Sequence, residues 1–229
     1  MDRFPKFLSV CIVSSLMFVS CSSSDSKTVT TNIGVLTTRA LICELPVHLD
    51  CSGADLTGAD LTGLDLSKAN FHKANLTKAD LSGANLTRAF LKEANLVGVD
   101  LTSANLSGAE LEGANLTGAD LTSADLSGAN LNYASMSGAI LTGADLTRAY
   151  LLETNLSGGN LTGANFSGAK VVSTLLAGAN LSGANFSDAD LTGADLTGTN
   201  LNSAKLSRTD LSVAIMPNGV KNAWGVWGG

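Results

Sequence analysis

The sequence has few aromatic residues, only two histidines and no excess of basic charge. Aromatic residues make up 5% of the 229 positions although 45% are hydrophobic, so a core must consist of small, uniform side chains. Lys and Arg number 14 against 20 Asp and Glu, which gives a net charge of −6. This balance argues against a protein that binds nucleic acid by neutralising phosphates. It leaves open a protein that presents carboxylates to a basic partner.

Side chains suited to catalysis are equally sparse. His48 and His72 occur in unrelated settings, and no cluster of residues has the spacing of a metal site. The many serines occupy one repeated position with no base at a fixed distance, so no nucleophile is distinguished. The sequence therefore predicts a protein that is not an enzyme and needs no cofactor.

No hydrophobic run is long enough for a comfortable membrane span, and the longest one, over residues 7–19, is close to the N-terminus. Arg3 and Lys6 precede it, and Ser20 and Cys21 follow it, which is typical of an export signal. The arrangement resembles the lipobox of bacterial lipoproteins. That resemblance implies a signal peptide over 1–20, a lipidated Cys21 and a polar tether over 21–32. The alternative is an ordinary signal peptide and a secreted or periplasmic protein, in which Cys21 is incidental.

The predicted location of the lipid-anchored chain is the bacterial cell envelope. Position 22 is Ser rather than the Asp that commonly retains lipoproteins at the inner membrane, which favours the outer membrane.

The rest of the chain repeats every five residues. From Leu56 to Leu211 the phase holds without a slip for 32 pentapeptides over residues 54–213, and the central residue is Leu in 27 of them. The residue two places earlier is Ala in 25, the one just before the centre is Asp or Asn in 24, and the one just after is Ser or Thr in 23. A step of five turns through about 140° on an α-helix and changes face on a strand, so the period fits neither. A fixed short period with small apolar residues indicates a solenoid.

Each pentapeptide then forms one short side of a coil, with its centre and the residue two places earlier pointing inward. Gly, Asn and Asp suit the tight corners. The segment "ANLSGANFSDADLTGADLTG" (179–198) closely resembles the consensus of the pentapeptide-repeat family. The resemblance implies an all-β fold, a right-handed quadrilateral β-helix with four pentapeptides per coil. Its eight coils at about 4.8 Å each would make a rod about 38 Å long.

The segments that flank the repeat are predicted to cap its ends, with residues 33–53 at the N-terminal end and 214–229 at the C-terminal end. Trp224 and Trp227 are expected to cover the last coil. Cys43 and Cys51 lie eight residues apart and can oxidise outside the cytoplasm. Cys51 is also in phase with the leucines, so a small buried residue without a disulfide is the other interpretation.

Departures from the consensus concentrate on one side of the predicted rod. With four sides per coil, residues 20 apart share a wall. Of 28 outward positions that depart from the consensus, 15 lie on a single wall and the other three walls hold 5, 2 and 6. We call the outward residues of that wall the decorated wall; its eight pentapeptides are centred on Phe71, Leu91, Leu111, Leu131, Leu151, Val171, Leu191 and Leu211.

The decorated wall is a candidate interaction surface because apolar groups face outward among charged ones. Its candidate residues are Phe90, Lys92, Tyr133, Tyr150, Leu152 and Val172. The basic corner beside it consists of Lys68, Arg88, Arg148 and Arg208. The alternatives are that a terminal segment packs over this wall, or that unconstrained positions have drifted.

The sequence thus predicts an exported, lipid-anchored, non-enzymatic β-solenoid that serves as a protein-interaction or envelope-structural element. Its expected partner is an unknown protein or a second copy of itself, with no direct nucleic-acid binding. A second hypothesis comes from the best-known members of the family, which inhibit or protect DNA gyrase by mimicking DNA. The column Asp60, Asp80, Asp100 and Asp120 fits that hypothesis, whereas the export signal, the uninterrupted coils and the lack of a C-terminal helical module oppose it. A third hypothesis is a binder of a repetitive ligand along a flat Ser/Thr wall.

Overall fold

The computed structural model describes residues 9–13, 17–21 and 49–222. Strands β1 (Ser9–Val13) and β2 (Met17–Cys21) pair in antiparallel orientation, with Ser9 opposite Cys21. Both lie in the segment predicted to be the signal peptide and its lipidated cysteine, and that assignment stays a prediction. Cys43, Trp224, Trp227 and residues 33–48 of the predicted cap lie outside the described residues.

Residues 49–222 form a coil with four sides. Parallel bridges join residues that lie 20 apart, beginning with Asp50 and Asn70 and ending with Asp195 and Ile215. Twenty residues are four pentapeptides, so each turn of the coil has four walls and equivalent residues stack in columns. The regular pattern includes all of 54–213 and also begins one pentapeptide earlier, since the Cys51 N–H donates to the Asn70 carbonyl at 2.7 Å.

The stacking satisfies every backbone N–H of a regular pentapeptide, as the one centred on Leu121 shows. The Leu121 and Ser123 amides donate to carbonyls of the next coil at 2.7 and 2.9 Å, and the Asp120 amide donates to the preceding coil at 3.0 Å. The Thr122 amide donates to Asp120 Oδ1 at 2.9 Å, and the Ala124 amide donates across the corner to the Leu121 carbonyl at 3.0 Å. Such short sides stabilise a solenoid because each donor of a regular pentapeptide inside the stack has an acceptor.

Each corner is a four-residue turn with a positive φ at its third residue, which is the geometry of a type II turn. Glycine adopts this conformation without steric cost, as at Gly118 with φ of 65°. Fifteen residues other than glycine also occupy it, including Tyr133 with φ of 61° and Val213 with φ of 53°. The Asp and Asn residues predicted to shape the corners by their backbone angles are not among them, apart from Asp188. Their contribution is the side-chain hydrogen bond to the corner amide.

The core is a single column of stacked layers. Central leucines such as Leu101, Leu121 and Leu141 are fully buried, as are most alanines two places before them, so the predicted inward positions are the buried ones. Phe166 and Phe186 occupy central positions of successive coils, and their rings stack with centroids 4.7 Å apart. Burial of a leucine side chain contributes about 1.5–3 kcal/mol, and the stack repeats that contribution at each side.

A hairpin covers part of the C-terminal end of the coil. Pro217 and Gly219 form a reversal that is closed by a hydrogen bond from the Gly219 amide to the Met216 carbonyl at 2.8 Å. The returning chain pairs in antiparallel orientation, with Lys221 opposite Ile215. Because an uncovered end would expose unpaired strand groups, this hairpin protects that part of the last coil from edge-to-edge association.

Cys51 is buried, with 1% of its surface exposed, and it is disulfide-bonded. It therefore combines the two features that the sequence left as alternatives, a core position in phase with the leucines and an oxidised sulfur. Its pairing with Cys43 stays a prediction because Cys43 lies outside the described residues.

Candidate interaction surface

The decorated wall presents three large side chains to solvent. Phe90, Tyr133 and Tyr150 are 50, 51 and 51% exposed, although each belongs to a chain segment whose neighbours are buried in the core. Leu152 and Val172, which the sequence placed on the same wall, are half-buried. The wall therefore brings aromatic and aliphatic groups onto one outer face, as the spacing of 20 predicts.

The consensus Asp and Asn side chains have one shared structural role, which the decorated wall partly lacks. In all 24 pentapeptides that have Asp or Asn just before the centre, its Oδ1 accepts the amide hydrogen two residues later at 2.8–3.3 Å. These are Asx turns. Eight pentapeptides have another residue there, and four of the eight are on the decorated wall: Phe90, Glu110, Tyr150 and Lys170.

One of these four losses is repaired from the neighbouring coil. Tyr150 has no side-chain oxygen close to its backbone that could replace the Asx acceptor, and Asn132 Oδ1 accepts the Leu152 amide instead at 2.8 Å. Within residues 49–222 the amides of Lys92, Glu112 and Val172 donate no hydrogen bond. The amides of Ser137, Thr142, Ala177 and Ser207 on the other three walls likewise donate none within that range. An amide without an acceptor therefore accompanies the loss of the consensus Asp or Asn on any wall, and the decorated wall has three such amides.

Charged side chains on the decorated wall pair between successive coils. Lys73 Nζ lies 3.4 Å from Glu93 Oε2, and Lys92 Nζ lies 2.9 Å from Glu112 Oε1. The hydrogen bond and the charge of Glu112 raise the pKa of Lys92. Exposed pairs of this kind contribute little to stability because solvent screens them, so they position charge more than they stabilise the fold.

A third ion pair lies nearer the C-terminal end of the decorated wall. Lys170 Nζ lies 3.4 Å from Asp190 Oδ2. Partial burial tends to raise the pKa of Asp190, but hydrogen bonds from the hydroxyl and amide of Thr192, together with Lys170, lower it on balance. Asp190 and Lys170 were not among the site residues chosen from the sequence. Asp190 matches the repeat consensus, so the sequence gives no signal for it. Lys170 replaces the consensus Asp or Asn, and that departure is a signal by which the sequence could have identified it.

The basic corner does not act as one cluster. Lys68 and Arg88 lie on successive coils and line a shallow groove with Ser67, Asn85, Thr87 and Ser107. Arg148 is three coils farther along the same column. Arg208 is paired with Asp188, whose Oδ2 lies 2.6 Å from Arg208 Nη2, and this pairing lowers the pKa of Asp188. The structure thus joins two of the four predicted basic residues.

The opposite extreme is the uniform wall, which we define as the outward residues of the eight pentapeptides centred on Leu61, Leu81, Leu101, Leu121, Leu141, Leu161, Leu181 and Leu201. It has no basic side chain. Asp60, Asp80, Asp100 and Asp120 stack along it through parallel bridges. The hydroxyl and then the amide of Ser82 lower the pKa of Asp80. The predicted acidic column is therefore real, and each of its carboxylates serves an Asx turn.

The described residues contain neither a candidate metal cluster nor a helix that could span a membrane. Residues 9–13, 17–21 and 49–222 contain no group of three or more His, Cys, Asp or Glu that could hold a metal ion. Over the same residues no helix is long and apolar enough to cross a membrane.

Comparison with known proteins places the repeat beside one family. The family profile described as pentapeptide repeats, with eight copies, matches residues 50–88, 79–118, 94–132, 129–168 and 174–212. No curated protein is significantly similar to the chain.

Solved structures of the same architecture are similar to this chain. HetL, a pentapeptide repeat protein involved in heterocyst differentiation regulation in the cyanobacterium Nostoc, is 33% identical, and the match covers 76% of this chain and 90% of HetL with a TM-score of 0.45. QnrB1, a plasmid-mediated fluoroquinolone resistance protein, is 24% identical, and the match covers 78% of this chain and 86% of that one with a TM-score of 0.54. At that identity the likeness to QnrB1 concerns the fold alone.

Proposed function

Since this chain belongs to the pentapeptide-repeat family, we propose that it is a rigid, non-enzymatic rod whose decorated wall binds another macromolecule in the bacterial envelope. Members of the family form right-handed quadrilateral β-helices and are generally structural or interaction proteins. The observation that carries the proposal is the concentration of 15 of 28 consensus departures on one wall. A uniform rod has no structural need for outward aromatic residues, because the core and the Asx turns already maintain the fold.

Rigidity supports the proposal. Most backbone amides of residues 49–222 donate to carbonyls of the same coil or of a neighbouring one. The wall is therefore a preorganised surface, although the amides of Lys92, Glu112 and Val172 donate no hydrogen bond. A preorganised surface loses little conformational entropy when a partner binds. Tyr133 and Tyr150 supply large contact area with few rotatable bonds, a property that makes tyrosine frequent in interfaces.

The binding experiment compares two walls of the same rod. Tyr150→Ala and Phe90→Ala are expected to reduce capture of envelope material by the purified chain. Thr102→Ala and Thr122→Ala on the uniform wall are expected to leave capture unchanged. All four positions face outward, so thermal unfolding of the variants should stay close to that of the parent chain. Equal capture by both sets would contradict the proposal.

The envelope location rests on the N-terminal sequence, with Cys21 as the lipidated residue and 21–32 as its tether. Palmitate labelling with membrane fractionation tests it directly. The parent chain should carry label in the outer-membrane fraction, and Cys21→Ala should yield an unlabelled, folded rod. A parent chain found unlabelled in the cytosol with Met1 intact would contradict the anchor and the location together.

A second function, protection or inhibition of a DNA-binding enzyme such as gyrase, is favoured by one observation, the four stacked aspartates of the uniform wall. The column continues with Ile140 and then asparagines, so its acidic part spans half of the rod. A gyrase supercoiling assay with the purified chain separates the two functions. Inhibition that is lost in Asp100→Asn would favour the DNA mimic, and an unaffected supercoiling rate would favour the envelope rod.

The third hypothesis, a repetitive ligand on a flat Ser/Thr wall, concerns the uniform wall as well. The Thr102→Ala and Thr122→Ala variants test it, because they would lose binding under that hypothesis alone.

A further inference from the structure

Charge on the decorated wall and its basic corner is distributed in blocks along the rod. We number the coils 1 to 8 from the pentapeptide of Phe71 to that of Leu211. Coil 1 is basic through Lys68 and Lys73, and coil 3 is acidic through Glu110 and Glu112. Coil 6 carries Lys170, whereas coil 7 is acidic. The acidic pair of coil 7 is Asp188 and Asp190. Coils 4 and 5, at the midpoint, contribute Tyr133 and Tyr150.

We propose that the partner of the decorated wall is a second copy of this chain, packed antiparallel and face to face. This inference rests on the proposed function, since it names the macromolecule that the wall binds. A two-fold axis that lies in the interface and crosses the rods between coils 4 and 5 makes the contact self-complementary. Coil 1 of one copy then faces coil 8 of the other, coil 2 faces coil 7, and coil 3 faces coil 6.

Opposite charges meet under this symmetry because the columns are preserved. Glu110 of one copy faces Lys170 of the second copy, since both residues belong to the column of Asn70. Arg88 likewise faces Asp188 of the second copy, because both belong to the column of the basic corner. Asp188 is bonded to Arg208 of its own chain at 2.6 Å, and Lys68 faces that Arg208, so this corner adds less to the attraction than Glu110 and Lys170 do. The symmetry produces each contact twice. Within one chain Glu110 and Lys170 are three coils apart, about 14 Å, so they do not pair with each other. Lys170 pairs with Asp190 of its own chain at 3.4 Å, and Glu110 of the second copy would join that pair.

The parallel arrangement places like charges together. With the axis along the rods each coil faces its own copy, so Glu110 and Glu112 of coil 3 meet the same two carboxylates. Like charges in contact across an interface act against association. The uniform wall offers no alternative contact between copies, because it carries aspartates and no basic side chain.

The centre of the antiparallel interface sets aromatic and aliphatic side chains against asparagines and supplies a backbone amide that is unused within one chain. Tyr150 and Leu152 face Asn130 and Asn132 of the second copy, which places the aromatic groups at the middle of the contact, where interface residues are most effectively desolvated. The Val172 amide, which donates no hydrogen bond within residues 49–222, faces the Glu112 carboxylate of the second copy. For each of these contacts, both the donor or apolar group and the group that it faces belong to the decorated wall, so two identical copies can form them.

A charge swap tests the arrangement. Sedimentation equilibrium of the full chain in a mild detergent should show a dimer whose dissociation constant rises with NaCl concentration. Glu110→Lys and Lys170→Glu should each raise that constant about tenfold or more, because each substitution creates two repulsive contacts. The double variant E110K/K170E should restore the parent value within about threefold, since it reverses both partners of each contact.

Lys78→Glu is the matched control. It makes the same change of charge as Lys170→Glu at an exposed position on another wall, and it should leave the dissociation constant unchanged. Rescue by the double variant cannot arise within one chain because the two residues are about 14 Å apart.

Three results would overturn the inference: a chain that stays monomeric at 100 µM in low salt, a double variant as weak as the single ones, or equal weakening by the control. A monomeric chain whose capture of envelope material still depends on Tyr150 would overturn self-association and leave the proposed function standing. Loss of both would contradict the two together.

Discussion

Substitution of one central leucine by asparagine gives the sharpest test of the inward and outward assignment. Leu121 is fully buried and lies between Leu101 and Leu141 of the adjoining coils, which are also fully buried. Leu121→Asn removes a buried leucine, worth about 1.5–3 kcal/mol. It also introduces an amide without an acceptor, which costs a further 1–3 kcal/mol or so. The expected loss of unfolding free energy is therefore about 3–6 kcal/mol.

The matched control introduces the same side chain at the next residue. Thr122 faces outward, and its backbone amide rather than its hydroxyl contacts Asp120. Thr122→Asn should therefore change stability by less than about 0.5 kcal/mol. In a chain of this size 1 kcal/mol corresponds to about 2–4 °C, so Leu121→Asn should lower the unfolding temperature by about 6–24 °C.

Circular dichroism during a thermal scan measures both variants under identical conditions. Unfolding temperatures that agree within about 2 °C would refute the assignment of core and surface. A large loss in the Thr122 variant alone would reverse it.

Three further predictions follow from single contacts. Val213→Gly should raise the unfolding free energy by about 1 kcal/mol, because a β-branched residue is strained at φ of 53°, and Val213→Ala should gain less; denaturant titration measures both. Thr154→Val should cost about 0.5–1.5 kcal/mol in the same titration, the net contribution of one hydrogen bond, because the Thr154 hydroxyl donates to the Leu131 carbonyl at 2.7 Å and that carbonyl keeps the Ala134 amide at 3.0 Å. Thr154→Ala restores the consensus and should cost less than about 1 kcal/mol. The folded pKa of Asp80 lies below its unfolded value of about 3.9, so the stabilisation from its carboxylate is present above that pH and is lost as pH falls through the folded pKa. Acid unfolding should therefore begin below about pH 4, and the stability of Asp80→Asn should depend less on pH. Unfolding curves between about pH 2 and 6 measure this, and a stability that rose on acidification would contradict it.

The five-residue period by itself determined which side chains are buried. Leu121 and Thr122 could be assigned to the inside and outside without coordinates, because 32 repeats in one phase leave no other pattern of burial. The same phase placed Cys51 in the core. The exposure of Phe90, Tyr133 and Tyr150 also followed from the period, once the family resemblance supplied four sides per coil.

The tertiary structure alone decided how the outward side chains interact. Asp and Asn occur in turns for several reasons, and only the backbone path shows that they accept the corner amide, as Asp120 does from Thr122. Where Tyr150 replaces the consensus Asp or Asn, Asn132 of the preceding coil accepts the Leu152 amide instead. This hydrogen bond depends on contact between coils, which no local sequence pattern encodes. Glu110 and Lys170 lie 60 positions apart in the chain, and their shared column exists only because stacking converts a step of 20 residues into one coil spacing. Burial is periodic and therefore readable from the sequence, whereas pairing across coils depends on which residues the closed fold brings into register.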